Sequence, residues 1–110
     1  RFFPTTHELA ARIAAALRAE GIGAGHRGAD HGPDWHLYSH MFPVWQSLGA
    51  EVRRTCPVAD DLYGRMITVG IDQWWKDADC DAVAAGLNKV FGAYCRRTGD
   101  VGSWPAVKAR

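Results

Sequence analysis

The sequence predicts an α/β (α+β) domain: a two-layer sandwich of about three strands with helices on one face. Three observations carry this. A capped amphipathic pattern starts at Pro4-Thr5-Thr6-His7-Glu8 and stops at Gly21. A β-branched alternation, Ile67-Thr68-Val69-Gly70-Ile71, places Ile67, Val69 and Ile71 on one side. A long stripe follows in which Val83, Ala84, Leu87, Val90, Phe91 and Tyr94 recur from Cys80 with helical spacing.

In chain order, Arg1-Phe2-Phe3-Pro4 reads as the end of a strand that is cut short at its N-terminal side. Thr5 and Glu8 have the spacing of a capping box, which satisfies two amide donors at a helix start. Leu9, Ile13 and Leu17, with Ala10, Ala14 and Ala16 beside them, form the apolar face of a helix of about 14 residues. Gly21 suits the position just past its end, where a positive φ is cheap. Ile22-Gly23-Ala24-Gly25 then starts a short strand. His26 to Phe42 has no clear period: Gly28, Asp30, Gly32, Pro33 and Asp34 break any helix, and Trp35, His36, Leu37, Tyr38, His40, Met41 and Phe42 are crowded together. A segment this aromatic is expected to pack rather than stay unfolded.

Pro43 to Leu48 predicts one or two helical turns before Gly49. Cys56-Pro57 opens the next helix with Pro at its first position, with Val58, Ala59, Leu62 and Met66 as its expected buried side. Asp60 and Asp61 suit the start of that helix and Arg65 its end. Asp72-Gln73-Trp74-Trp75 reads as a turn in which one Trp packs under the last helix and the other is exposed. The last helix starts near Lys76-Asp77-Ala78-Asp79 and closes at Arg96-Arg97. Residues 98–110 read as a polar tail or linker, so the domain is expected over residues 1–97.

Composition narrows the function classes. The chain has 110 residues, 47% of them apolar and 23% charged, with net charge +1. One domain fits this length, and the charge gives no electrostatic sign of nucleic acid or an anionic membrane as partner. No apolar run approaches the ~20 residues of a membrane span, and the first residues lack a signal-peptide pattern. Cys56, Cys80 and Cys95 are odd in number without CxxC spacing, which predicts reduced thiols and a cytoplasmic setting. His31, His36 and His40 raise a zinc reading, with 36 and 40 on a shared helix face. They lack an HExxH pattern or a nearby Cys.

The order and spacing of Leu9 to Gly25, of Cys56-Pro57-Val58-Ala59-Asp60-Asp61-Leu62 through Ile71, and of Trp75-Lys76-Asp77-Ala78-Asp79-Cys80-Asp81-Ala82-Val83 resemble the C-terminal small domain of the DegT/DnrJ/EryC1/StrS family. These are fold-type I aminotransferases that use pyridoxal phosphate, mostly on keto-sugars. The resemblance covers most of the chain. Within the family, Asp34-Trp35-His36-Leu37-Tyr38-Ser39-His40 is most similar to the branch that aminates eight-carbon 3-deoxy sugar acids, the 8-amino-3,8-dideoxy-octulosonate aminotransferases. Lys76 and Gly70 depart from the family, which prefers Thr or Ser and Pro there.

The resemblance implies a lid that closes over the substrate side of the coenzyme. It makes His26, Trp35, His36 and His40 the substrate-binding candidates, with Arg27 a possible partner of a substrate carboxylate. Simple packing competes for Trp35, and a satisfied surface or core role for each His. It also implies pyridoxal 5'-phosphate in the complete enzyme, a large coenzyme-binding domain as partner, a homodimer, a keto-sugar substrate and an amino-acid donor. Lys76, Lys89 and Lys108 lack the setting of a Schiff-base lysine, so the chain alone is expected to hold no coenzyme and show no activity. The competing reading is a non-catalytic α/β interaction module.

Overall fold

A computed structural model of the chain describes residues 1–28, 32–52 and 55–96. The expectations for Asp30, His31, Arg97 and the 98–110 tail lie outside the described residues. Among these residues the chain is mixed α+β. Helix α1 spans His7–Ala19, strand β1 Ala24–His26, α2 Phe42–Ser47, α3 Pro57–Arg65, β2 Ile67–Val69 and α4 Asp77–Tyr94, with a single 3-10 turn at Tyr38–His40.

The sheet is smaller than expected. β1 and β2 pair antiparallel, with Ala24 opposite Val69, Gly25 opposite Thr68 and His26 opposite Ile67. In place of a third strand, Phe2 makes one isolated bridge to Ile67, with N···O distances of 3.1 and 2.9 Å. β2 also stops two residues early. Ile71 lies beyond the last paired residue and is 84% exposed, because β1 offers no ladder partner past Ala24.

Helix α1 starts one residue later than its capping-box pattern implies. Thr6, not Thr5, is the N-cap, and its side-chain oxygen accepts the Leu9 amide at 3.1 Å. Glu8 therefore falls too early to close the box and instead lies in the first turn, where its charge suits the helix dipole. At the far end, Ile22 N–H donates to Leu17 O and Gly21 N–H to Arg18 O, at 2.9 and 3.0 Å. This is a Schellman motif, with Gly21 at φ +80° and Ile22 packing near Leu17.

Ala10, Ile13, Ala14 and Leu17 of α1 form one core with Ile22, Ala24, Ile67 and Val90. Phe2, Val69, Val83, Leu87, Phe91 and Tyr94 pack around it, and the Phe2 and Phe91 rings meet edge-on with centroids 5.0 Å apart. The apolar stripe of α4 is used unevenly. Val90 is buried, whereas Cys80 and Ala84 are exposed. α4 has 18 residues and α1 has 13, about 27 and 20 Å, so α1 cannot cover the whole of α4. Lys76 caps α4 only by its backbone: its N–H donates to Asp79 Oδ2 at 2.9 Å, and an ammonium has no acceptor to return.

α3 departs most from expectation. Val58 is 72% exposed and Leu62 is also exposed. The helix approaches α1 through Gly64, where an added Cβ would lie 2.5 Å from the His7 ring and 2.9 Å from Gly28 O. Arg65 fastens this contact: it grips Asp61 Oδ2 at 3.0 and 2.8 Å and donates to Pro4 O, while His7 Nε2 lies 3.1 Å from Asp61 Oδ1. The Arg65 guanidinium holds the Asp61 carboxyl below its ordinary value, with partial burial opposing and His7 adding a smaller push. With α3 attached along this line, its apolar residues are left to line an open cleft.

The Asp72 turn forms as expected. Trp75 N–H donates to Asp72 O and Trp74 N–H to Asp72 Oδ1, at 3.1 and 2.9 Å. Trp74 is exposed and Trp75 half-buried. Among the described residues no helix is long and apolar enough to cross a membrane, and Cys56, Cys80 and Cys95 are free thiols.

The cap assignment is testable. Thr6→Ala should lower stability by about 1 kcal/mol, and Thr5→Ala should stay within about 0.5 kcal/mol of wild type. Urea denaturation of both variants measures this, and an equal loss in the two would move the cap off Thr6.

Candidate functional site

Alternation along the sheet divides the molecule. Ala24, Ile67 and Val69 face the α1–α4 core, so Gly25 and Thr68 face the other way. On that second face lies a cleft of about 730 Å³. Its walls are the sheet at Gly25 and Thr68, α3 at Leu62, Tyr63 and Met66, and the end of β1 with its following segment at His26, Arg27, His36 and Leu37. Arg1, Phe3 and Ala59 complete it.

The irregular segment is held by one carboxylate. Asp34 Oδ2 accepts from Arg27 Nη1 and, at 3.0 Å, from the Tyr63 hydroxyl. Asp34 Oδ1 accepts the His36 backbone N–H at 2.7 Å and lies 3.1 Å from His36 Nδ1. The Asp34 amide in turn donates to His40 O at 3.0 Å. The His36 amide is the main cause that lowers the Asp34 carboxyl from 3.8 to about 2; the Tyr63 hydroxyl, the His36 ring and the Arg27 charge add to it, and burial opposes them. Arg27 is fully engaged. Besides Asp34 it donates to Gly32 O at 2.5 Å, lies 3.3 Å from His40 Nδ1, and its guanidinium sits 5.5 Å from the Tyr63 ring centroid. The expected role of Arg27 as partner of a substrate carboxylate is therefore replaced by an internal one.

The four predicted site residues separate. His26 and His36 line the cleft. The His26 Nε2 atom is buried and has no hydrogen-bond partner, whereas the His36 side chain is 84% exposed. Trp35 is 63% exposed and is not a cleft wall. His40 is only 5% exposed and belongs to a buried cluster beneath the segment. Its Nδ1 lies 3.0 Å from Gly32 O and its Nε2 3.4 Å from Asp60 Oδ1, and Asp60 also accepts the Ser39 hydroxyl. His40 is not among the walls of the cleft.

The zinc reading loses its geometry as well. His36 lies in a turn and His40 ends the 3-10 turn, so they share no helix face, and no group of three or more metal-ligating side chains occurs among the described residues. His31 lies outside the described residues.

Sequence reasoning missed Asp34, Tyr63, Asp60 and Ser39. Asp34 carried a local signal, an Asp two residues before His36, which is the spacing at which a carboxylate accepts a backbone amide. Tyr63 and Asp60 carried none, because their partners lie 29 and 21 residues away. No family model, curated protein or solved structure matches the chain.

Because the folded Asp34 carboxyl sits below its ordinary value, its contribution is present above pH 4 and is lost as pH falls from 3.8 to about 2. Asp34→Asn should remove about 1–2 kcal/mol near neutral pH and flatten that acid limb. Stability curves at several pH values check this. An Asn variant as stable as wild type at neutral pH would show that the network contributes nothing.

Proposed function

We propose that the chain is the substrate-side small domain of a pyridoxal-phosphate-dependent aminotransferase of the DegT/DnrJ/EryC1/StrS type, acting on a keto-sugar or sugar acid. The observation that carries this reading is the cleft. It opens on the sheet face not covered by α1 and α4, brings the exposed His36 beside an apolar side of α3, and has the size of a small-ligand site. Aromatic and aliphatic walls suit sugar C–H faces, and imidazoles suit hydroxyls. The finer fold, a two-layer sandwich of about three strands, belongs to the same proposal. It is supported by the Phe2–Ile67 bridge on the free edge of β2 and by the order and spacing of the residues quoted above.

The lysines among the described residues do not fit the coenzyme by themselves. Its carbonyl chemistry requires a lysine amine in a protected site. Lys89 is bound to Glu20 on the surface at 2.8 and 2.9 Å, and Lys76 stands at the start of α4. Neither lines the cleft. The reading therefore assigns the coenzyme and the amino-donor step to a large domain as partner, within a homodimeric cytoplasmic enzyme. In this division the chain binds and orients the sugar and excludes water from it.

A non-catalytic interaction module is the second reading. It is favoured by the exposed Ile71 and Trp74 near a second hollow lined by Gly21, Gly70 and Trp75.

Two measurements separate them. The chain alone with pyridoxal phosphate should give no aldimine absorbance band that borohydride bleaches. Joined to a family large domain stripped of its own small domain, it should restore keto-sugar-dependent transamination, and His26→Ala or His36→Ala in that fusion should lower kcat/KM about tenfold. A folded fusion with no activity on any keto-sugar would favour the module.

A further inference from the structure

The sheet leaves one edge unfinished. Ile67 exchanges both backbone hydrogen bonds with Phe2, at 2.9 and 3.1 Å, so its N–H and C=O point away from β1. Along an antiparallel strand these directions alternate from one residue to the next. Thr68 therefore turns its backbone groups toward Gly25 of β1, and Val69 turns its own to the outer edge again. Phe2 pairs at Ile67 alone, and among the described residues no backbone group meets Val69 on that edge.

The open stretch has little protection against pairing. Native sheets guard such edges with Lys, Pro or a bulge, and Val69-Gly70-Ile71 contains neither Lys nor Pro. Ile71 is 84% exposed. A Cβ added at Gly70 would meet nothing within 4 Å, and Gly70 is not one of the glycines with positive φ. Another backbone can therefore come close at this point without displacing a side chain.

We propose that a second copy of this chain completes the edge, around a two-fold axis at Gly70. Pairing carries β2 on to Ile71, whose backbone groups then point outward in the same sense as those of Val69. Val69 of each copy exchanges two hydrogen bonds with Ile71 of the other. Gly70 faces Gly70 across the axis as a pair without hydrogen bonds, the type whose Cα atoms approach to about 4.5 Å.

Charge selects this register. Phe2 opposite Ile67 puts Arg1 level with Thr68, and the incoming strand reaches that level with Asp72. There the Asp72 turn takes the chain off the edge, with Trp75 N–H donating to Asp72 O at 3.1 Å. Its carboxylate is left beside the positive Arg1, and the symmetry makes the contact twice, as in any isologous interface. The shared edge is short, so the dimer is expected to be weak, with a dissociation constant on the order of 10 μM. This assembly is independent of the aminotransferase reading, because it forms in the 110-residue chain without a large domain.

Sedimentation equilibrium of the 110-residue chain should show a reversible monomer–dimer equilibrium. Ile71→Pro removes the N–H that the partner accepts and should leave a monomer. Its urea denaturation should match that of wild type under conditions where both are monomeric, since Ile71 lies outside the β1–β2 ladder. Arg1→Glu should weaken the dimer about tenfold. Val58→Ser, on the exposed side of α3, should leave it unchanged.

The axis is tested by cross-linking. With Cys56, Cys80 and Cys95 replaced by Ser, Gly70→Cys should form a disulfide-linked dimer under mild oxidation, and Gly23→Cys, also open to solvent, should not. A chain that stays monomeric at about 1 mM, a dimer that survives Ile71→Pro, or one that is lost with Val58→Ser would overturn the proposal. So would equal cross-linking at Gly23 and Gly70. The fusion assay reads the aminotransferase assignment separately.

Discussion

The Asp34 carboxylate is the interaction on which the cleft side of the structure depends. It joins three pieces that share little apolar contact: the end of β1 through Arg27, the irregular segment through His36, and α3 through Tyr63. Ordering backbone costs about 1–2 kcal/mol per residue, and this segment recovers little of that by burial. Trp35 and Tyr38 remain exposed; Tyr38 and Trp45 stack with centroids 5.1 Å apart, but Trp45 is only half-buried. Charge-assisted hydrogen bonds, about twice as strong as neutral ones, have to supply the difference. Asp34 collects contacts from three residues, Arg27, Tyr63 and His36, and Arg27 spreads its charge over Asp34, Gly32 and the Tyr63 ring.

The other half is held by packing, and the two halves meet at the two-stranded sheet. Ala24, Ile67 and Val69 belong to the α1–α4 core. Their neighbours Gly25 and Thr68 belong to the cleft. Because side chains alternate along a strand, a one-residue slip of β2 against β1 would exchange the two sets and empty the cleft wall. The Phe2 bridge and the Ile67 side chain, which is fully buried, fix that register from the outer edge and from the core. The position of the Gly25–Thr68 wall of the cleft therefore depends on apolar packing on the opposite face.

These different forces explain what was legible in the sequence. Local periodicity and end signals transferred well: α1 with its Gly21 stop, the Pro57 start of α3, the Asp72 turn and the long α4 are all where the pattern puts them. Errors arose where a second element decides. Thr5 and Thr6 are both able to cap a helix, and the backbone selected Thr6. Val58 and Leu62 have helical apolar spacing, yet α3 is pulled onto α1 through Gly64 and Arg65, which a pattern of apolar residues cannot anticipate. The third strand was read from Arg1-Phe2-Phe3-Pro4, and of these only Phe2 pairs. Of the candidate site, His26 and His36 were legible as residue types at the end of a strand and in an aromatic segment. The groups that hold the Asp34 partner of His36, Tyr63 and Arg27, act across the fold.

The histidines show how far partners outweigh residue type. His36 and His40 are four apart and chemically identical, and both touch an aspartate. His40 is enclosed by Gly32, Asp60 and Arg27, so each of its nitrogens is already committed inside the protein. His36 contacts Asp34 through one nitrogen and its side chain is 84% exposed, and His26 keeps a buried nitrogen without a hydrogen-bond partner. A binding surface needs groups whose hydrogen-bonding capacity is left over after folding. By that criterion His36 differs from His40 by its partners and its exposure, not by its residue type. Arg27, the residue whose charge would otherwise dominate the site, has been converted into scaffold by Asp34. The carboxylate that holds the segment together is therefore also the group that takes the Arg27 charge out of the cleft.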